Sequence, residues 1–228
     1  MPYCQRSNAV LDARYEEKPG VWRCPGHAPY CPGDEIYRLV SDGSEAEAFE
    51  RALAACSSEF GRRPDRPIRL WLGLQPLTVP NADSLDVYVM GDATPRQLRG
   101  QGAHEAVHAT HDAVMHWTHE MLAVCFAGRY LHTTGDTEYV LEHYEPYLRE
   151  QAGAISTADL LAWDRWPAYP IADVYGRVFV IGEALIADTS WEDVKRLAST
   201  DLDGWLGSLD GPKRLRAQRT LKGLARAA

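Results

Sequence analysis

The spacing of apolar residues changes along the chain, and this change restricts the folds that the chain can adopt. Aliphatic residues occupy every second position in Ile68–Leu74 and in Leu85–Val89, which is the pattern of half-buried β-strands. From about residue 101 onward, the apolar residues instead recur at helical spacing. Strands followed mostly by helices predict an α+β fold, with a small sheet-bearing N-terminal lobe and a helical C-terminal lobe.

Seven segments of the chain are predicted to be helical. The first begins at Ser44, which pairs with Glu47 as a capping box, and it ends at Gly61. The others are 101–114, 118–130, 138–151, a short helix from Thr157, a helix opened by Pro170 that runs to 186, and 191–197.

Composition divides the chain into three parts. Residues 1–43 are rich in Cys, Pro and Gly without a sustained period, so we expect an irregular extension with one short strand at 35–40. Residues 44–210 hold the other predicted elements and form the main domain. Residues 211–228 contain six Lys or Arg and no acid, which predicts a basic C-terminal tail, solvated or docked on an acidic surface.

Charge and hydropathy exclude some classes of partner. The net charge of -8 argues against nucleic acid, because binding to the phosphate backbone needs a basic surface. The chain has no apolar run long enough to span a bilayer, so we expect no membrane partner. Its first residues lack the apolar core of a signal peptide, which favours a cytoplasmic location. Secretion with the signal already removed is the alternative.

A metal-binding motif lies in the second predicted helix, as His104-Glu105-Ala106-Val107-His108. Residues four apart share one face of a helix, so His104 and His108 can hold one ion through imidazole nitrogens. Glu105 lies to one side of this pair, where it can take a proton from a zinc-bound water as general base. The motif therefore predicts a zinc-dependent hydrolase with one catalytic Zn²⁺.

Other histidines surround this motif. Six of the eight histidines lie between positions 104 and 132, which favours a metal or acid–base site. His111 is two turns along from His104, so it is expected to support the site or to face solvent rather than to bind the ion. For His116, His119 and His132 we expect positions at the surface.

The segment His116–Gly128 resembles the second active-site helix of gluzincin-type zinc metallopeptidases, which typically reads Trp-Leu-x-Glu-Gly-Leu-Ala-x-x-Phe. By this resemblance Glu120 would be the third metal ligand. The likeness extends over about 64–200 and implies a zincin-like catalytic domain, with the metal site between the two lobes.

A second part of this resemblance lies further along the chain. Tyr175–Val180 and Trp191–Val194 resemble the C-terminal helices of peptidase MA-like gluzincins. The resemblance implies that the Tyr175 hydroxyl steadies the oxyanion during hydrolysis. Val178 stands where the family pattern has glycine, so the chain departs from the pattern at that position.

The spacing between His108 and Glu120 is shorter than is usual in gluzincins. A continuous helix would separate the two residues by about 18 Å, too far to share an ion. The chain must therefore turn within 112–117, and Thr118 could then cap a new helix. Other candidate third ligands are acids further along the chain: Asp136, Glu138 and Glu142. The metzincin pattern fails, because His111 and Val114 occupy its Gly and His positions.

These features predict a metallopeptidase that cleaves peptide or amide bonds, with a peptide or amide-containing substrate. The alternative is a non-peptidase metalloenzyme on the same scaffold, such as an iron-dependent tailoring enzyme for a small metabolite. Two histidines and one carboxylate suit ferrous iron as well as zinc.

The N-terminal cysteines offer a second, structural site. A second zinc ion could be held by the set Cys4, Cys24, His27 and Cys31. A disulfide that joins Cys24 to Cys31 or to Cys4 is an alternative, and three unrelated thiols are another.

Overall fold

The computed structural model describes residues 1–6, 9–26, 33, 35–111, 116–153, 155–161 and 171–226. They form two compact units, Met1–Ala113 and Val114–Ala228. In the described part, the first unit contains a six-stranded sheet with two α-helices, and the second is helical. The predicted α+β class is therefore confirmed.

The sheet of the first unit has the strand order β1-β2-β3-β4-β6-β5. Strands β4 and β6 pair in parallel, whereas the other neighbours are antiparallel. The strands are β1 (Glu16–Lys18), β2 (Val21–Arg23), β3 (Ile36–Val40), β4 (Ile68–Gly73), β5 (Leu77–Pro80) and β6 (Leu85–Met90). Strands β3, β4 and β6 confirm the three predicted strands.

Strands β1, β2 and β5 go beyond the sequence-based expectation, so residues 1–43 are not irregular throughout. Each has only three or four residues, which is too short to display an alternating pattern. Strands β1 and β5 also form the two edges of the sheet, where exposed polar side chains are usual.

The two faces of the sheet carry different side chains. One face holds an aromatic cluster, in which Trp22 meets Trp71 edge-on at 5.1 Å and Trp71 stacks on Tyr88 at 6.2 Å between ring centroids. The other face holds Val87 and its register partner Thr78. The hydroxyl of Thr78 contacts Glu105, so the second helix lies on this opposite face.

The two helices of the first unit are α1 (Gly43–Phe60) and α2 (Pro95–Thr110), which pack against each other. Helix α1 ends at Gly61, as predicted, and this glycine has the left-handed conformation. The predicted capping box is wrong, because α1 begins at Gly43 and Ser44 donates to the adjacent Glu45 instead. Asp42 occupies the N-cap position.

Helix α2 begins six residues before the predicted start at 101. Its true start is a capping box in which the Thr94 hydroxyl accepts from the Gln97 amide and the Gln97 side chain accepts from the Thr94 amide. Pro95 occupies the first turn. The first turns are polar and partly exposed, so they lack the apolar period on which the prediction depended.

The second unit is a set of helices. Helices α3 and α5 both pack against α7. A π-helical turn, Val140–Tyr144, joins α4 to α5, so the predicted helix at 138–151 is confirmed as a helical stretch. The helices are α3 (Trp117–Thr133), α4 (Thr137–Tyr139), α5 (Glu145–Gln151), α6 (Thr157–Leu161), α7 (Ile171–Asp188), α8 (Trp191–Val194), α9 (Leu202–Ser208) and α10 (Gly211–Arg226). Pro170, the predicted start of α7, lies outside the described residues.

The predicted basic tail is the helix α10, and it packs against α7 and α6. Ala217 and Leu221 are buried on its inner side. Lys213 forms an ion pair of 2.7 Å with Asp193 of α8, so the tail is docked rather than solvated. Among the described residues, no helix combines the length and apolar composition that a membrane span needs.

Candidate metal site

Two buried imidazoles lie on successive turns of α2. The Nε2 atoms of His104 and His108 are 3.1 Å apart. Two nitrogens bound to one tetrahedral zinc ion would be about 3.3 Å apart, given Zn–N bonds near 2.0–2.1 Å. The helix therefore presents the same ring atom of both residues to one point, at the separation that a shared ion requires.

The C-terminal half of α2 holds these side chains in fixed positions, since every residue from Gly102 to Thr110 is buried. The Thr110 hydroxyl donates back to the Ala106 carbonyl at 2.9 Å. Cys56 of α1 also contacts Thr110, with 3.3 Å between Sγ and Oγ1. Packing on α1 and hydrogen bonding at the last turn thus restrain the motif from two sides.

Glu105 is the buried carboxylate between the two histidines. Its Oε2 accepts a hydrogen bond of 2.7 Å from the Thr78 hydroxyl of β5. The side chain is 1% exposed, so this contact orients a group that has almost no access to bulk water. Thr78 is a site residue that sequence reasoning missed, since a single threonine in a four-residue edge strand gives no signal.

Glu120 completes the group. One ligand atom from each of His104, His108 and Glu120 lies within 4.8 Å of the other two, and all three residues are buried. Two imidazoles and a carboxylate are the donor set of many catalytic zinc sites. The structure thus brings together the three predicted ligands in a buried group that could bind a metal ion.

The chain between His108 and Glu120 does not continue as one helix. Helix α2 ends at Thr110 and α3 begins at Trp117, as the predicted turn requires, and residues 112–115 lie outside the described residues. The predicted cap is wrong. His116 occupies the N-cap, and its Nδ1 accepts from the Thr118 amide at 3.3 Å. Burial lowers the pKa of His116, which favours the neutral ring that this acceptor role needs.

The alternative third ligands lie elsewhere among the described residues. Asp136 is buried and accepts from the Thr134 hydroxyl, at the N-terminal end of α4. Glu138 and Glu142 are exposed. The buried group around His104 includes none of the three.

The histidines outside the group have other contacts. His111 is buried, its Nδ1 lies 2.8 Å from the Val107 carbonyl, and its ring meets Phe60 edge-on. It supports the end of α2 and is not in the group. His116, His119 and His132 are half-buried rather than fully at the surface.

Tyr175 is half-buried in the second turn of α7. The next residue, Gly176, marks a close approach, because a Cβ there would lie 2.5 Å from the Leu148 carbonyl oxygen of α5. The position of Tyr175 is therefore set by backbone contact between two helices, and its role in hydrolysis stays a prediction.

Comparison with protein-family models, with curated proteins and with solved structures found no match to this chain.

Proposed function

We propose that this protein is a zinc-dependent hydrolase of peptide or amide bonds, a zincin-like metallopeptidase of the gluzincin type. The observation that carries the proposal is the buried group of His104, His108 and Glu120, with the Glu105 carboxylate in the same turn of α2. The order of ligands, two on one helix and the third on the next, is the order that the sequence resemblance implies.

The donor set fits a divalent cation for an electrostatic reason. A buried carboxylate is costly unless a positive charge or hydrogen bonds compensate it. Glu105 and Glu120 are both buried, and His104 and His108 can serve as neutral ligands. A cation of charge +2 would balance the two carboxylates.

Glu105 is the residue best placed to move a proton. A bound zinc ion supplies Lewis acidity and lowers the pKa of a coordinated water to about 7. Glu105 takes a proton from the attacking water, whose oxygen forms a bond to the substrate carbonyl carbon. The carbon–nitrogen bond then breaks, and Glu105 passes the proton to the leaving amine nitrogen.

Two further residues support this sequence of steps. The Thr78 hydroxyl donates to Glu105 Oε2 at 2.7 Å, which orients the carboxylate that is proposed to move the proton. The Tyr175 hydroxyl is proposed to donate to the oxygen on which negative charge develops, because such donors stabilise the transition state.

The test is cleavage of a quenched peptide library by the parent protein, by Glu105→Gln and by Glu47→Gln. Glu47 is a matched control, because its side chain is 68% exposed on α1. We expect cleavage that a chelator abolishes and zinc restores, a loss of about 10²–10⁴-fold in Glu105→Gln, and no change in Glu47→Gln. Glu105→Gln should keep its metal, because the residue is not a ligand.

Metal analysis by mass spectrometry tests the alternative chemistry. Zinc in the parent protein that is lost in His104→Ala/His108→Ala, together with library cleavage, supports the peptidase. Iron in place of zinc, without cleavage, would instead support the oxidative tailoring enzyme, since the same donors suit ferrous iron. Parental cleavage rates in Glu105→Gln would contradict the general-base role.

A further inference from the structure

A second group of metal-ligating side chains lies in the first unit. Cys4 belongs to the N-terminal segment, Cys24 follows β2, and Glu35 precedes β3. The Cys24 amide donates to the Glu35 carbonyl at 2.9 Å, so the two residues face each other where the β2–β3 ladder ends. One ligand atom from each residue lies within 4.8 Å of the other two, and all three residues are buried.

The distance between the two sulfurs indicates what the group can hold. Cys4 Sγ and Cys24 Sγ are 3.4 Å apart. A disulfide would bring them to about 2.05 Å. Two thiolates on one tetrahedral zinc ion would be about 3.8 Å apart, given Zn–S bonds near 2.3 Å. The observed spacing is that of two thiols in hydrogen-bond contact, and a change of about 0.4 Å would bring both sulfurs to a shared ion.

The charges around the group balance with a divalent cation. Two thiolates and one carboxylate carry three negative charges, so a zinc ion leaves one negative charge over. Arg6 compensates it, since its Nε lies 2.5 Å from Glu35 Oε1. Neutrality matters because both cysteines are part of the apolar cluster that includes Trp22 and Trp71.

Hydrogen bonds orient the ligands from outside. The side chain of Tyr37 is hydrogen-bonded to Cys4, and its hydroxyl also accepts from the Gln5 amide at 2.8 Å. The Cys4 amide donates to the Ala9 carbonyl at 2.8 Å, which fixes the backbone on the other side. Such outer contacts are usual around metal ligands, because they hold the donor atoms in position.

We propose that Cys4, Cys24 and Glu35 bind a structural zinc ion, which fastens the N-terminal segment to the β2–β3 ladder. This set differs from the one predicted from sequence, because Glu35 is a ligand, and His27 and Cys31 lie outside the described residues. The set supplies three of the four donors that a tetrahedral structural zinc site usually has. The proposal does not depend on the proposed hydrolase activity.

The experiment measures zinc per chain in a variant that lacks the two histidine ligands of the proposed catalytic site. In His104→Ala/His108→Ala, any remaining zinc reports only on the second site. We expect one zinc per chain in this background and none when Cys24→Ser is added. Cys56→Ser is the matched control, because Cys56 is also a buried thiol but contacts Thr110 instead, and it should keep the zinc.

A second measurement covers the case in which Cys24→Ser fails to fold. Cobalt is exchanged for zinc in the His104→Ala/His108→Ala background, where both cysteines are intact. A sulfur-to-cobalt charge-transfer band supports thiolate ligation, and Cys56→Ser should leave it unchanged. Absence of the band would overturn the proposal. A disulfide that joins Cys24 to Cys4 or to Cys31, identified by peptide mapping without reductant, would also overturn it, because Cys24 could then not bind the ion as a thiolate. Either negative result would leave the hydrolase proposal standing, since that depends on the other group.

Discussion

The two units of the molecule differ in how they use buried polar side chains. Among the described residues, the first unit buries nine, namely Glu35, Thr78, Ser84, Asp86, His104, Glu105, His108, Thr110 and His111, and the second buries four, namely Thr118, Glu120, Asp136 and Thr157. Burial of a polar group costs free energy unless the group is hydrogen-bonded or paired. The first unit therefore depends more than the second on contacts that compensate buried polar groups.

The second unit depends instead on close contact between helices. A Cβ at Gly176 would lie 2.5–2.7 Å from three backbone atoms at the C-terminal end of α5, and a Cβ at Gly182 would lie 2.5 Å from Cys125 Sγ of α3. Backbones approach this closely only where a side chain is missing. The first unit should therefore be sensitive to changes of polar groups, and the second to changes of volume.

Glu120 is an exception to this difference between the units, because it is a buried polar residue of the second unit whose removal should have a large effect. Glu120→Ala should lower zinc affinity more than about 100-fold, since even residues that only support a ligand cost about 10–100-fold when removed. Asp136→Ala is the control, because Asp136 is the other buried acid among the described residues of the unit and lies outside the group. Zinc titration monitored by mass spectrometry measures both variants.

The outcome distinguishes two assignments of the third ligand. If Asp136→Ala lost the zinc and Glu120→Ala kept it, Glu120 would not be the ligand, despite its place in the buried group. If both variants bound zinc as the parent does, the third donor to His104 and His108 would be neither of these two acids.

Gly176 tests whether the second unit is sensitive to changes of volume. Gly176→Ala should lower the free energy of unfolding by about 1–3 kcal/mol, as for other overpacked sites, because its Cβ would meet backbone that cannot rotate away. Gly223→Ala is the matched control. No atom lies within 4 Å of a Cβ there, so the same change in α10 should stabilise the helix by about 0.5–1 kcal/mol.

Urea unfolding followed by circular dichroism measures both glycine variants. Opposite signs for the two substitutions would support close helix contact as the basis of the second unit. A Gly176→Ala variant as stable as the parent would show that α5 and α7 can separate at little cost, and the division between the units would then weaken.

Much of the site could be predicted from the sequence because its elements are local. His104 and His108 lie one helical turn apart, so their shared face follows from helix geometry alone. The assignment of Glu120 as a ligand required a family resemblance and a predicted turn before this residue. In the structure a new helix begins at Trp117, as that turn requires. The strands β4 and β6 could be predicted because each has six residues, which is long enough for an alternating pattern of apolar side chains to be recognised.

The remaining parts depend on pairing between distant segments. Thr78 meets Glu105 because β5 adds to the edge of β6 under α2, and 27 positions separate the two residues in the chain. Glu35 meets Cys24 because of the β2–β3 register, and β2 has only three residues. Sequence periodicity carries no information on register between strands that are too short to be recognised.

Asp193 tests the polar contacts of the second unit, where we expect the smallest effect. It accepts from the Ser190 hydroxyl and pairs with Lys213 and Arg196, so it links α8 to α10. Burial alone would raise the pKa of Asp193, but the hydrogen bonds from Lys213 and Ser190 hold it below its ordinary value of 3.8. The carboxylate therefore contributes stability that is present above pH 3.8 and is lost as the pH falls through the lowered pKa.

Asp193→Asn should therefore lower the free energy of unfolding at pH 7, by at most about 1 kcal/mol because the ion pairs are near the surface. The difference from the parent should shrink below pH 3.8, where the parent carboxylate also becomes neutral. Glu192→Gln is the control, since this neighbouring carboxylate is 72% exposed and its removal should change little at any pH. A difference between Asp193→Asn and the parent that stays constant from neutral to acidic pH would mean that hydrogen-bond geometry, rather than charge, joins α8 to α10.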